Sequence, residues 1–420
     1  MANTDYLLLL RNELIPALGC TEPIAIAFAS ARARKILGCF PDSITVACSG
    51  NIIKNVKGVI VPTTGNLRGV EVSALLGAVA GNSELGMEVL KNVHSDDVER
   101  VRMLKEINMC HVKLLSGGAK LHILIKMQSN SHSSLVEIAD AHTNIIREEK
   151  DGKLLKSDAS GHILHEQLAR QHMTVREIYD FATSACFEDI YDILKPQVEY
   201  NLKIAQEGLK GNYGMQVGRT YLESSKEKNV RCKAIAYAAA GSDARMSGCE
   251  LPVVINSGSG NQGITASLPV ILYAQETNIS KEKMYRALAL SNLITLYQKS
   301  YIGELSAYCG VISAACGSIA AIAYLCNGDI KIIENTIINT IACVSGIACD
   351  GAKPSCAAKI AVALEAGFLG LNMAQHGKVF QAGEGLVKEN VDATIAAFGR
   401  MGREGMKKTD EEILNIMLEE

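Results

Sequence analysis

Residues 305–328 run for 24 positions without a charged side chain, inside a later part of the chain that reads as helix after helix. A stretch of that length reaches the span of a bilayer. Its content, however, is Ser, Ala, Gly and Cys with few Leu or Phe, and no basic flank marks an inner end. The expectation is a helix buried inside protein, which requires apolar neighbours to cover it. From Thr174 onward the periodicity supplies them, predicting helices over 174–186, 190–209, 226–246, 264–276, 281–299, 306–325, 331–347, 356–368 and 389–399. Most are rich in Ala, Ile and Leu. Aromatic residues make up 5%, Trp is absent and Gly numbers 36, a composition that lets helices pack closely through small side chains. The polar residues 402–420 predict an exposed terminal helix.

The opening of the chain also reads as helical, over 3–18 and 22–37. Gly19-Cys20-Thr21 joins the two, with Thr21 as N-cap and Glu22 and Pro23 in the first turn, where an acid and a proline are favoured. Then the period changes to two. Residues 43–49 alternate as a strand, 59–61 make a second short one, and 109–115 and 120–127 two more. A hairpin involving 136–147 turns around Glu149-Lys150-Asp151-Gly152. Among these strands lie a small-residue helix over 70–80 and a charged one near 95–107. The expected fold class is α+β: a large, mainly helical domain (1–41 plus 174–420) with an inserted smaller α/β region (42–173) containing an antiparallel sheet. At roughly 150 residues per domain, 420 residues accommodate that division.

Charge narrows the function classes. With 42 Lys+Arg against 45 Asp+Glu the formal charge is −3, so the basic surplus of a nucleic-acid binder is missing. A 48% hydrophobic content excludes a disordered chain. The 13 cysteines are an odd count in a long chain without a signal-peptide pattern, which argues against a disulfide framework and for a reducing cytoplasm. Neither C-x-x-C nor H-E-x-x-H occurs, so the common zinc patterns are excluded.

Five places carry chemistry. The loop Asn256-Ser257-Gly258-Ser259-Gly260-Asn261-Gln262-Gly263 follows a short apolar strand and opens a helix; it contains a formal G-x-G-x-x-G. A dinucleotide fold does not follow from it, because helix succeeds helix and the acidic residue expected on a second strand is missing. What remains is a set of backbone N–H groups at a helix N-terminus, suited to a small anion such as a carboxylate. Ser49-Gly50-Asn51-Ile52-Ile53-Lys54-Asn55 and Pro62-Thr63-Thr64-Gly65-Asn66 are two further polar clusters that can converge on a small polar substrate, with Lys54 equally readable as a solvated surface lysine. Cys20 stands at a helix N-terminus, where the dipole is expected to lower its thiol pKa toward neutrality and make it a base or nucleophile. Finally, Cys349 and Cys356 flank a loop that interrupts an apolar helix pattern, and Cys309 lies in the uncharged stretch. Three such thiolates can hold an iron–sulfur cluster, though Cys316, Cys326 and Cys343 compete for the role on spacing alone.

At these residues the sequence resembles the L-cysteine desulfidase family, which is related through its helical part to the iron–sulfur L-serine dehydratases. The resemblance spans essentially the whole chain and rests on five motifs in order: G-C-T-E-P at 19–23, S-G-N-I-I-K-N at 49–55, S-G-S-G-N-Q-G at 257–263, A-Y-C-G at 307–310 and C-D-G-A-K-P-S-C at 349–356. It implies a PLP-independent lyase carrying a [4Fe-4S] cluster on Cys309, Cys349 and Cys356, with Cys20 as proton acceptor. The substrate would be a small amino acid, L-cysteine, with L-serine or L-threonine dehydration as the alternative and a non-catalytic anion-binding protein of the same fold as a third reading. Thr21, Glu22, Asn51, Lys54 and residues Asn256, Ser257, Gly258, Ser259, Gly260 and Asn261 are the expected substrate-binding set. No nucleic-acid or membrane partner is expected; a second copy of the chain is a compatible one.

Overall fold

The first helix stops sooner than its apolar pattern predicts. In the computed structural model, which describes residues 3–115, 119–157, 170, 172–303 and 305–419, α1 covers Asn3–Glu13. Pro16 has no N–H to donate and holds the residue before it extended, so the helix cannot continue through it. Residues Pro16–Leu18 instead form β1, paired antiparallel with β8 (Pro252–Val254). This short ladder carries the Gly19-Cys20-Thr21 corner up to the 256–263 loop. The second helix, α2 (Thr21–Leu37), is capped by Cys20 rather than by Thr21; Cys20 is the last extended residue, with φ −77 and ψ 135.

A six-stranded sheet follows: β2 (Ser43–Ser49), β3 (Cys110–Leu115), β4 (His122–Ser129), β5 (His132–Ala139), β6 (Ile145–Lys150) and β7 (Lys153–Ser157), in the order β3-β2-β4-β5-β6-β7. All neighbours are antiparallel except β2 and β3, which run parallel, so the sheet is mixed rather than purely antiparallel. A parallel pair needs a long crossover, here made by α3 (Gly50–Lys57), α4 (Val70–Ala80) and α5 (Ser95–Glu106). The expected polar loop at 49–55 is thus a helix, its inner face formed by Ile52, Lys54, Asn55 and Val56. The expected strand at 59–61 reduces to an isolated bridge between Ile60 and Arg68. Ile44, Val46, Cys48, Ile123, Ile125, Met127, Val136 and Ile138 share one buried face by register, and α2 packs on that side of β4 and β5. Residues 158–169, part of the predicted inserted region, lie outside the described residues.

The rest is helical: α6 (Val175–Ser184), α7 (Phe187–Lys210), α8 (Val217–Ser224), α9 (Val230–Met246), α10 (Gly260–Glu276), α11 (Lys281–Ile302), α12 (Val311–Leu325), α13 (Ile330–Cys343), α14 (Cys356–Gln375), α15 (Val391–Arg400) and α16 (Lys407–Leu418). The uncharged stretch divides into a loop and α12, which is buried at every position but Tyr324 and flanked by α10, α11, α13 and α14. α9 is the second centre, packed on α7, α8, α10 and α14. One hydrophobic core continues from α1 and the sheet through these helices. Among the described residues one helix, α14, has the length and composition to cross a membrane, and half of it is buried inside the protein. The fold is α+β.

Candidate functional site

Four chain segments meet where the helical layer abuts the sheet. The first is the β1–α2 corner. The second is the β8–α10 turn, in which Asn256 and Ser259 exchange both backbone hydrogen bonds (3.1 and 3.0 Å) while Ser257 and Gly258 take φ of 48 and 72. Two consecutive positive φ values close the tightest of hairpin turns. The glycine pattern is therefore a corner that aims the start of α10 at the site. The third is a backbone bridge between Tyr308 and Ala348, in which the Cys309 N–H donates to the Ile347 carbonyl (3.0 Å) and the Cys349 N–H to the Ala307 carbonyl (2.7 Å). The fourth is α3. Gly351 sits with φ 92 against its backbone, where a Cβ would stand 2.4 Å from the Lys54 carbonyl oxygen, so the 349–356 loop needs glycine there.

Together they enclose a cavity of about 90 Å³. Of the residues singled out from sequence, Cys20, Thr21, Glu22, Asn51, Lys54, Ser259, Asn261, Cys309, Cys349 and Cys356 line it. Asn256, Ser257, Gly258 and Gly260 are not part of the lining. Asn256 is fully buried behind it, its amide donating to the Asn292 side chain at 3.0 Å, and the Ser257 hydroxyl donates to Asn256 at 2.9 Å. Gly258 makes room for the His142 imidazole and Gly260 for the Arg245 guanidinium.

One wall of the cavity is made of thiols. Cys309 donates its S–H to Cys349; that bond holds the Cys349 thiol below its ordinary value, helped by Lys54, the Gly351 N–H and Lys359, against the effect of burial. Cys309 is pushed up by the same bond and by burial. Burial also raises Cys356, with the neighbouring Cys349 adding to it. Lys54 is buried rather than solvated, ion-paired with Asp410 of α16 and 3.3 Å from the Cys349 carbonyl oxygen, so its charge faces the thiol wall and two of its three donors are committed.

A second part of the lining, the acid wall, is made of acid and amides and adjoins the first, since Cys356 packs against the cluster that holds Cys20. The Cys20 thiol donates to Glu22 Oε2 at 3.0 Å, Thr21 Oγ1 donates to the same oxygen at 3.0 Å, and Asn55 Nδ2 donates to Oε1 at 2.8 Å. Burial, reinforced by the Glu22 carboxylate, pushes the Cys20 thiol well above its ordinary value. The sequence-based expectation of a lowered pKa is corrected here: the helix dipole is present, but burial and a carboxylate outweigh it. Burial would also raise Glu22, yet His142, the Cys20 and backbone hydrogen bonds and Arg245 together hold it below the usual range. The ionised member of the pair is Glu22.

Sequence reasoning passed over several residues now at the site. Asn55 and Gln262 stood inside quoted motifs, and a single Arg closing the Ala-rich helix α9 was a signal for Arg245. Lys299, Ser306 and Tyr308 also line the cavity. Nothing in the turn around His142 marked it; it is buried beside Glu22, and its Nε2 has no hydrogen-bond partner among the described residues.

The donor set suits an iron–sulfur cluster: three cysteines on one wall, one already held toward thiolate, with lysines behind. Among the described residues no three His, Cys, Asp or Glu side chains close on a point as a single ion requires. A cluster offers separate irons to separate thiolates, so a shared wall satisfies it.

Residues 84–415 match the family model described as Serine dehydratase alpha chain, which sets the class of protein as a lyase type. The chain belongs to the serine dehydratase alpha chain family. It is 50% identical over 410 residues to a UPF0597 protein of Lachnoclostridium phytofermentans, covering 98% of each chain. It is 45% identical over 416 residues to a UPF0597 protein of Finegoldia magna, with 99% of each covered. A third, from Desulfitobacterium hafniense, is 48% identical over 417 residues, with 98% of this chain and 96% of that one covered. These relatives extend the likeness across the first 83 residues, which hold Cys20, Glu22 and Asn55.

Proposed function

We propose that the protein is a PLP-independent lyase that removes sulfide from L-cysteine by taking the α-proton and expelling the β-substituent. The observation that carries this reading is a single cavity lined both by three thiols and by a Cys20–Glu22 pair. Cys309, Cys349 and Cys356 would hold a [4Fe-4S] cluster. Bound through three thiolates, such a cluster would supply a Lewis-acidic iron for the departing group.

The chain's own residues do the proton work. A raised thiol pKa makes Cys20 a strong base once its proton is gone, and Glu22, hydrogen-bonded to it, is placed to receive that proton. Cys20 then takes the α-proton while Thr21 and Asn55 keep the now protonated Glu22 oriented, and Glu22 gives its proton up as the β-substituent departs. Aminoacrylate leaves and hydrolyses to pyruvate and ammonia. The family match favours L-serine as the competing substrate, with water as the group expelled.

Anaerobically purified protein, reconstituted with iron and sulfide, is expected to be brown and to release sulfide, pyruvate and ammonia from L-cysteine faster than pyruvate from L-serine. The reverse preference would make it a serine dehydratase. Absence of turnover on both after reconstitution would overturn the lyase reading.

A further inference from the structure

Arg245 is buried to 2% exposure on the cavity wall, yet no described carboxylate lies within ion-pair distance. Its Nε donates to the Gly19 carbonyl at 3.0 Å, which fixes the plane of the guanidinium, and its two terminal nitrogens have no partner among the described residues. A Cβ at position 260 would stand 2.2 Å from Nε, so the first residue of α10 has to be glycine for Arg245 to hold this pose. A buried guanidinium with its fork unused is a receptor for a planar anion, a carboxylate above all.

Among the residues lining the same cavity, three side-chain oxygens are buried without a donor: Asn55 Oδ1, Asn261 Oδ1 and Gln262 Oε1. The Asn55 amide cannot be turned over to relieve this, because its nitrogen is the donor to the Glu22 carboxylate at 2.8 Å and an oxygen there would face oxygen. The Asn261 amide nitrogen points at Met246 Sδ, 3.6 Å away. Buried acceptors are ordinarily satisfied. The complement of three acceptors is a group with three N–H donors and no acceptor, which describes an ammonium.

We infer that Arg245 takes the α-carboxylate of the substrate and that the amide oxygens of Asn55, Asn261 and Gln262 take its α-ammonium. The cavity then selects the zwitterion of a free α-amino acid by reading both of its charges, and the carboxylate role expected of the glycine-rich loop passes to an arginine for which that loop makes room. The inference deepens the lyase reading and rests on it only in taking this cavity as the substrate site.

The experiment uses the reconstituted holoenzyme with three probes. L-alanine keeps both charged groups and has nothing to expel; β-mercaptopropionate lacks the ammonium; cysteamine lacks the carboxylate. In the wild type, L-alanine should raise the melting temperature and compete with L-cysteine, and each single-headed probe should compete about 10-fold or more weakly. Arg245→Met should raise KM for L-cysteine by about 10- to 100-fold, the loss expected for charge-assisted hydrogen bonds. It should also abolish inhibition by β-mercaptopropionate and leave cysteamine unaffected. Gln262→Met should do the converse. Arg245→Lys, which keeps the charge without the fork, should recover part of the loss.

That crossed pattern is one a merely structural role would not produce. Equal weakening of both probes in both variants, or an unchanged KM in Arg245→Met, overturns the inference. If the variants fail to fold, the wild-type probe series decides alone: single-headed probes binding as well as L-alanine overturn it. A wild type that binds L-alanine in this crossed manner but turns over neither L-cysteine nor L-serine would sink the lyase reading and leave this one standing.

Discussion

The two walls of the cavity use the same side chain in opposite ways. Cys349 and Cys20 are both cysteines at the edge of one small space, yet the first is held low and the second high. On the thiol wall, an S–H donor, Lys54 and Lys359 surround the sulfur, and they overcome burial. On the acid wall, burial and the Glu22 carboxylate act in the same direction, and Arg245 cannot reverse them. Proximity to a helix N-terminus does not separate the two, since Cys20 has it and is high. A hydrogen-bond donor on the sulfur decides at Cys349 and burial decides at Cys20, with the adjacent charges adding to each.

The largest test of this contrast removes a sulfur from each wall. Cys349→Ser should lose its iron and its turnover together, measured by iron quantification and pyruvate release. Cys20→Ala should keep its iron and lose about 10²- to 10⁴-fold in turnover, the range for removal of a general base. Identical behaviour of the two would mean that the walls are not functionally distinct.

Next in size is Lys54→Met. It strands the Asp410 carboxylate, and breaking such a buried pair costs about 3 kcal/mol in denaturant unfolding. It also removes a cation beside Cys349, so in cluster-free protein the pH at which Cys349 becomes alkylated should rise. Wild-type protein in the same assay should show Cys349 modified at lower pH than Cys20.

The smallest effect is the most discriminating. Glu22→Gln deletes the negative charge that raises Cys20, so alkylation of Cys20 should begin at lower pH. Glu22 itself has a folded pKa below its ordinary value of 4.5. Its contribution to stability is therefore fully present above about pH 4.5 and disappears as pH falls through the lower folded value. Melting temperatures of wild type and Glu22→Gln should converge on acidification across that window.

The contrast also separates what could be read from the chain and what could not. The three thiols were legible only through the family resemblance, since spacing alone left Cys316, Cys326 and Cys343 in competition, and the structure lines all three along one cavity. The position of Cys20 was legible as well; its protonation was not, since that depends first on burial, with the Glu22 carboxylate adding to it and Arg245 of α9 opposing it. Arg245 and His142 escaped because each reaches the site from an element whose sequence advertises packing or a turn. The α1 boundary was missed where apolar periodicity ran past Pro16, and the helix α3 was missed because a polar motif hid its buried face. The sheet's parallel pair depends on a crossover that periodicity alone does not connect.

The Tyr308–Ala348 bridge has a further consequence. Since the peptides on either side are bonded to each other, the main chains that carry Cys309 and Cys349 are held side by side. Folding alone readies that half of the socket, and only the branch at Cys356 has to be matched to it. Under the proposed cluster assignment, a substitution at Cys309 or Cys349 is expected to spare this backbone scaffold.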